Sequence, residues 1–358
     1  ESVLKRILAF FSSFAIISMN MNKDKFPSEL RLDKASGNWV VIATGRAKRP
    51  ESFKKVKNGS IKESNKDCFF CNIETQGEPL LVYYKGKKVE GIKKWTTVVI
   101  PNKFPAFIRS KSLNRKKRGE FFETMNAVGA HEVVITKNHN KSLALLSLAE
   151  VKEVIDVYAD RYNSLIKEDG INYVAIFHNH GPEAGASVAH PHSQIAGIPL
   201  IDYDLKKALA KSKKYKKDGD CIYCRMNDWE LKEKERIVYE NEHFIALCPF
   251  TSKVAFQVII SPKKHLSHFE NITEQEKESL ADAFRTVLRK LYKALGDPAY
   301  NFYLHSAPSD NDDHLYYHWH WTILPKTSIW AGFELGVGIE ISTIEPEEAA
   351  KYLRNQKI

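Results

Sequence analysis

The chain has 358 residues, 43% of them hydrophobic, enough for one large domain or two of ordinary size and too apolar for a disordered chain. Lys and Arg outnumber Asp and Glu by 54 to 44, a net charge of +10 that suits phosphate-bearing partners through long-range attraction. The basic residues fall in short scattered runs such as Lys213-Lys214 and form neither an aromatic single-strand platform nor a recognisable DNA-reading helix, which argues against nucleic-acid binding.

Lys5-Arg6 followed by the apolar stretch Ile7 to Ile17 imitates a short signal peptide. It is too short to span a membrane, and no small-residue cleavage pattern follows it. Residues 1–22 are therefore expected to be an extension outside the fold. Two C-x-x-C pairs, Cys68/Cys71 and Cys221/Cys224, account for four of the five cysteines. This is metal or redox spacing rather than a secreted disulfide framework, and it favours a cytoplasmic protein. Cys248 ends an apolar run from Phe244 and reads as a core thiol.

From the first cysteine pair onward the chain repeats one plan twice. A β-branched run, Glu132 to Ile135 and later Phe256 to Ile260, predicts a strand, and a histidine follows each, His139 and His265. Eight residues beyond each histidine stands a capping box, Ser147 with Glu150 and Thr273 with Glu276. The first predicted helix carries Val151, Val154, Ile155, Tyr158, Tyr162 and Leu165 on one face. The second carries Leu280, Phe284, Val287, Leu288 and Leu291. Gly170 and Gly296 are expected to end them, and strands follow at 173–177 and 300–304. Each repeat closes on a His-x-His, His190/His192 and His318/His320. Helices segregated from a mostly antiparallel sheet predict an α+β fold made of two related modules, residues 23–200 and 201–358, joined in one structure.

A Cys2His2 set is a common tetrahedral zinc site, and the repeat nominates one per half. The first is Cys68, Cys71, His139 and His190; the second is Cys221, Cys224, His265 and His318, with His268, His314 and His320 as nearby competitors. The sharpest segment is FHNHGPEAGASVAHPHSQ, Phe177 to Gln194. A strand delivers Asn179, and the small residues Gly181, Gly185 and Ala186 should let backbone N–H groups approach a diphosphate. Ser187 and Gln194 can donate hydrogen bonds to its oxygens. In an extended His-x-His both imidazoles share a face. If His190 binds metal, His192 keeps a free nitrogen to attack phosphorus, its other nitrogen donating to a backbone carbonyl.

HPHSQ after NHGPEAGAS resembles the active-site signature of the galactose-1-phosphate uridylyltransferase family, in the histidine-triad superfamily. Arg46 to Pro50 resembles that family's RAKRP element, Pro101 to Pro105 its nucleoside-binding turn, His318-Trp319-His320 its second-half HWH, and Ala331 to Glu334 the segment that closes on the sugar. The resemblance runs from about Arg31 to Ser342 and implies two tandem histidine-triad-like modules. It also implies a ping-pong transfer of uridylate from UDP-glucose to galactose 1-phosphate through His192. On it, Ser187 and Gln194 serve the transferred phosphoryl group, Asn179 lies in the same loop, and Arg46 and Arg49 meet phosphate charge. Asn102 and Phe104 face the nucleoside, Glu334 the sugar. Structural zinc and a homodimer are implied as well, with no membrane partner.

Ser193 stands where many uridylyltransferases have glycine, and the second C-x-x-C is absent from members that hold their second metal with glutamate and histidines. Both features resemble a branch that acts as ADP-glucose phosphorylase by the same covalent route. A reading from another class is a non-catalytic zinc-stapled protein that binds nucleic acid.

Overall fold

The computed structural model describes residues 29–42, 65–66, 68–215, 220–310 and 312–358; the 1–22 extension, Arg46 and Arg49 lie outside the described residues. In chain order the elements begin with β1 (Glu29–Leu32), β2 (Trp39–Ile42), β3 (Leu81–Tyr84), β4 (Lys87–Lys88), β5 (Thr97–Pro101), β6 (Lys116–Arg118), β7 (Phe122–Thr124) and β8 (Ala130–Thr136). Helix α1 (Leu148–Leu165), β9 (Tyr173–His180), β10 (His192–Ile198), α2 (Tyr203–Tyr215) and α3 (Ile222–Glu233) follow. The rest are β11 (Ile237–Glu240), β12 (Phe244–Leu247), β13 (Val258–Pro262), α4 (Glu274–Leu295), β14 (Tyr300–His305), β15 (His320–Pro325), α5 (Gly332–Val337), β16 (Ile341–Ser342) and α6 (Pro346–Arg354).

Eleven strands form one sheet in the order β11-β12-β13-β15-β14-β9-β10-β8-β5-β3-β4, with antiparallel neighbours throughout. The order β5-β8-β10-β9 in the first repeat is mirrored by β12-β13-β15-β14 in the second. The two meet where β9 pairs with β14 at Asn179↔Asn301 and Phe177↔Tyr303. The α+β class and the duplicated plan are therefore both present.

Helices α1 and α4 start at the expected boxes: the Ser147 and Thr273 side chains accept the N–H of Glu150 and Glu276, whose carboxylates receive the cap N–H in return. Both helices lay their apolar stripes on one face of the sheet and share a single core with it, from Val151, Tyr158 and Leu165 to Leu280, Phe284 and Leu291. Each such large side chain stabilises the fold by about 1.5–3 kcal/mol on burial. Lys152 to Glu274 at 3.0 Å and Lys277 to Asp156 at 3.1 Å tie the helices together at the junction of the halves.

Three expectations need correction. Helix α1 stops at Leu165, capped through Ile166, and Gly170 (φ 81°) turns the chain after it rather than ending it; Gly296 does cap α4 in the left-handed region. The second β-branched run becomes a strand only from Val258, because Phe256 takes φ 64° to drive its ring into the core beside Tyr352. His190 and His318 precede their strands, which begin at His192 and His320, so the paired histidines are not neighbours on one strand face.

Candidate functional site

Strand register decides which side of the sheet carries the chemistry. Ser193 pairs with His178, and both point into the helix-covered face: Ser193 Oγ lies 2.5 Å from the Tyr158 hydroxyl of α1 and 3.0 Å from His178 Nδ1. Side chains alternate along a strand, so His192 and Gln194 on β10, Phe177 and Asn179 on β9, and Asn301 on β14 all occupy the opposite face. His305 and His320, paired across β14 and β15, lie on that same face.

The two cysteine-histidine quartets come together, each with its ligand atoms within 4.8 Å of one another. In the first, Cys68 Sγ and Cys71 Sγ lie 3.6 and 3.5 Å from His190 Nδ1, and Cys71 Sγ is 3.3 Å from His139 Nδ1. A tetrahedral ion with ordinary Zn–S and Zn–N bonds sets S···N edges of about 3.5 Å, so the donors fit such a cation. His190 Nε2–H donates to the Thr136 carbonyl at 2.6 Å, which leaves Nδ1 bare and aimed at the sulfurs. In the second quartet Cys224 Sγ is 3.3 Å from His265 Nδ1 and 3.4 Å from His318 Nδ1, and His318 Nε2–H donates to the Pro262 carbonyl at 2.9 Å. Cys221 caps the N-terminus of α3, where the helix field favours a thiolate. The competitors are engaged elsewhere: His314 Nε2 meets Asp310 at 2.7 Å, His268 Nε2–H donates to the Asp313 carbonyl, and His320 Nδ1–H donates to the His318 carbonyl.

His192 is 9% exposed. Its Nδ1–H donates to the His190 carbonyl at 2.9 Å, so the neutral ring keeps its lone pair on Nε2. Burial pushes its pKa below the usual histidine value, against the opposing pull of that backbone hydrogen bond, and the neutral form therefore prevails at neutral pH. Phe70, between the two cysteines of the first pair, sets its ring 5.0 Å from that of His192 and 5.9 Å from that of His190. The Cys68–Cys71 turn thus walls one side of the histidine.

Gln194 is held by a neighbour that the sequence did not suggest: its Oε1 lies 2.8 Å from His131 Nε2. Asn102 approaches the same histidine nitrogen at 3.3 Å, and its Oδ1 accepts the Phe104 N–H at 2.9 Å, which shapes the turn that leaves the Phe104 ring 84% exposed. Asn179 and Gln194 are both partly buried on the face opposite α1 and α4. The Asn179 Oδ1 accepts from Asn301 Nδ2 at 2.8 Å, and Asn301 also donates to the Ala184 carbonyl at 2.8 Å, so a second-half residue clamps the first-half loop.

The loop itself differs from expectation. The N–H groups of Ala184, Gly185 and Ala186 donate to the Gly181 and Pro182 carbonyls, so they close the turn instead of cradling an anion. Gly181 (φ 81°) and Gly185 (φ 85°) supply the left-handed backbone that the turn needs. Ser187 follows on an exposed stretch. Glu334 lies on the short exposed helix α5, where its carboxylate receives the Ala331 N–H at 3.0 Å; among the described residues no hydrogen bond links it to His192 or Gln194. Phe70, His131 and Asn301 are the site neighbours that sequence reasoning missed. Phe70 lay inside a recognised motif, whereas the other two reach the site through strand pairing and a turn.

A profile described as galactose-1-phosphate uridyl transferase, N-terminal domain, matches residues 18–198, and its C-terminal counterpart matches residues 203–355. The chain belongs to the galactose-1-phosphate uridylyltransferase family. Within this nucleotidyltransferase family, ADP-glucose phosphorylase of Arabidopsis thaliana is 31% identical, over 91% of this chain and 92% of that protein. Galactose-1-phosphate uridylyltransferase of Thermotoga maritima is 28% identical, over 92% and 99%. The crystal structure of the Arabidopsis ADP-glucose phosphorylase with bound ADP-glucose superposes with a TM-score of 0.77 at 28% identity, covering 92% of this chain and 100% of that one. A uridylyltransferase structure gives 0.69 at 27% identity, covering 91% and 97%. No helix among the described residues is long and apolar enough to cross a membrane.

Proposed function

We propose that the chain is a UDP-glucose:hexose-1-phosphate uridylyltransferase working through a uridylyl-histidine at His192. The observation that carries this reading is the bare Nε2 of the largely buried His192 ring, whose Nδ1–H is held by the His190 carbonyl, beside Gln194 on the sheet face opposite α1 and α4. Nε2 attacks the α-phosphorus of the nucleotide sugar, the N–P bond forms, and the P–O bond to the sugar phosphate breaks, releasing glucose 1-phosphate. A phosphate oxygen of galactose 1-phosphate then attacks the same phosphorus and frees His192.

Gln194 and Ser187 donate hydrogen bonds to the non-bridging oxygens, whose charge grows in the transition state, and Asn179 supports them. Arg46 and Arg49 serve phosphate charge, Asn102 and Phe104 the nucleoside, and Glu334 the sugar. The quartets at Cys68/Cys71/His139/His190 and Cys221/Cys224/His265/His318 hold one structural zinc ion each, fixing the turns that shape the site. The enzyme is read as a cytoplasmic homodimer, with the first module catalytic and the second completing the substrate pocket.

A second reading, ADP-glucose phosphorylase, is favoured by the complete second Cys2His2 cluster, by Ser193 in place of glycine, and by the Arabidopsis relative. In it, adenylate passes from His192 to inorganic phosphate. Steady-state kinetics separate the two. Parallel double-reciprocal lines with UDP-glucose and galactose 1-phosphate support the uridylyltransferase, and parallel lines with ADP-glucose and phosphate alone replace it by the phosphorylase. Intersecting lines with both pairs would sink the covalent route.

A further inference from the structure

We infer that His131 is a positioning residue that fixes the Gln194 side-chain amide with its NH2 group toward the phosphoryl site, and that a backbone amide sets this orientation. The inference rests on the reading of Gln194 as a donor to the transferred phosphoryl group. A glutamine amide can be turned by 180° at little intrinsic cost, and only one of its two orientations offers hydrogen to an anion. Something must choose between them.

The choice starts at Ala106, whose backbone N–H points at His131 Nδ1 over 3.1 Å. A peptide N–H cannot reverse its role, so Nδ1 must be the bare nitrogen, and a neutral imidazole then carries its proton on Nε2. That N–H faces Gln194 Oε1 at 2.8 Å. Were Gln194 turned over, its NH2 would meet the His131 N–H, two donors in contact. The side-chain nitrogen of Asn102, at 3.3 Å from the same Nε2, finds no lone pair there. Its Oδ1 is already occupied by the Phe104 N–H. A relay of Ala106 N–H, His131 and Gln194 therefore ties the turn at 102–106 to the group that meets the transferred phosphorus. His131 is the second residue of β8 and pairs across from Ala196 on β10, two residues beyond Gln194, so the sheet itself holds the distance.

The test uses the full-length, metal-loaded protein and single-turnover formation of the His192 adduct from UDP-glucose or ADP-glucose, whichever the enzyme accepts. His131→Leu is expected to slow adduct formation at saturating donor by about 10- to 100-fold, up to the lower end of what losing one oriented donor costs. Half-saturation should move less than twofold. His131→Gln, which can place an amide N–H near the position of Nε2, should recover most of the rate. In a Gln194→Ala background, His131→Leu should cost nothing further. A wild-type rate for His131→Leu, or losses that simply multiply in the double variant, would overturn the proposal. A wild-type rate for Gln194→Ala would instead remove the reading of Gln194 on which it rests. If His131→Leu does not fold, 15N imidazole shifts of the wild-type protein, assigned by difference from His131→Gln, decide: Nε2–H supports the relay and Nδ1–H refutes it.

Discussion

Replacing Ser193 with glycine, the residue many uridylyltransferases carry there, should cost stability rather than chemistry. Ser193 Oγ is the partner of both the Tyr158 hydroxyl and His178 Nδ1, and Tyr158 and His178 are each 1% exposed. Removing the hydroxyl strands two buried polar groups at about 1–3 kcal/mol each, and glycine within a strand adds about 0.5–1 kcal/mol. The expected loss is about 2.5–7 kcal/mol. For a chain of 358 residues the unfolding entropy is roughly 0.75 kcal/mol/K, so Tm should fall by about 3–9 °C in calorimetry of the metal-loaded protein. Adding Tyr158→Phe removes one stranded group, and the double variant should be less destabilised than the two single losses combined. A Tm unchanged within 1 °C, or strictly additive losses, would refute this account of the network.

Asn301→Ala should slow adduct formation about 10-fold by releasing both Asn179 and the Ala184 carbonyl, with metal content unchanged; a normal rate would mean the second half does not organise the loop. Cys71→Ser and Cys224→Ser should each lose one equivalent of zinc by elemental analysis and several degrees of Tm, and retention of full metal in either would remove that quartet from the account. Because burial lowers the His192 pKa, the midpoint at which adduct formation declines with acid should lie below 6.5; a midpoint at or above 6.5 would contradict the buried neutral nucleophile. His320 is pushed down to about 4 by burial, so below pH 6.5 the unfolded chain binds a proton that the folded chain refuses until about pH 4. Its contribution to stability is thus intact above 6.5 and lost as pH falls, visible as a lower urea midpoint at pH 5 than at pH 7 that His320→Phe reduces.

Much of the fold was legible because its signals are local. Ser147 and Thr273 announce helix starts by chemistry confined to three residues, and the stripes of α1 and α4 follow from spacing alone. The cysteine-histidine quartets were legible because a duplicated order of cysteine pair, histidine and His-x-His leaves few assignments. What escaped depends on neighbours distant in sequence. Asn301 meets Asn179 only because β14 pairs with β9, and His131 meets Gln194 only because β8 pairs with β10. The loop N–H groups looked free in sequence, yet the turn consumes them, since a chain reversal at Gly181 and Gly185 has its own hydrogen bonds to satisfy. The left-handed Phe256 is likewise set by the core it fills and not by its own preference.

Intact-protein mass spectrometry after brief incubation with UDP-glucose or ADP-glucose, without acceptor, tests the central claim most directly. The account predicts a gain of one uridylyl group from UDP-glucose, absent from His192→Asn and discharged by galactose 1-phosphate. An adenylyl group gained from ADP-glucose alone would keep His192 and change the substrate, whereas no adduct from either donor, or an adduct that survives in His192→Asn, would contradict covalent transfer through this histidine.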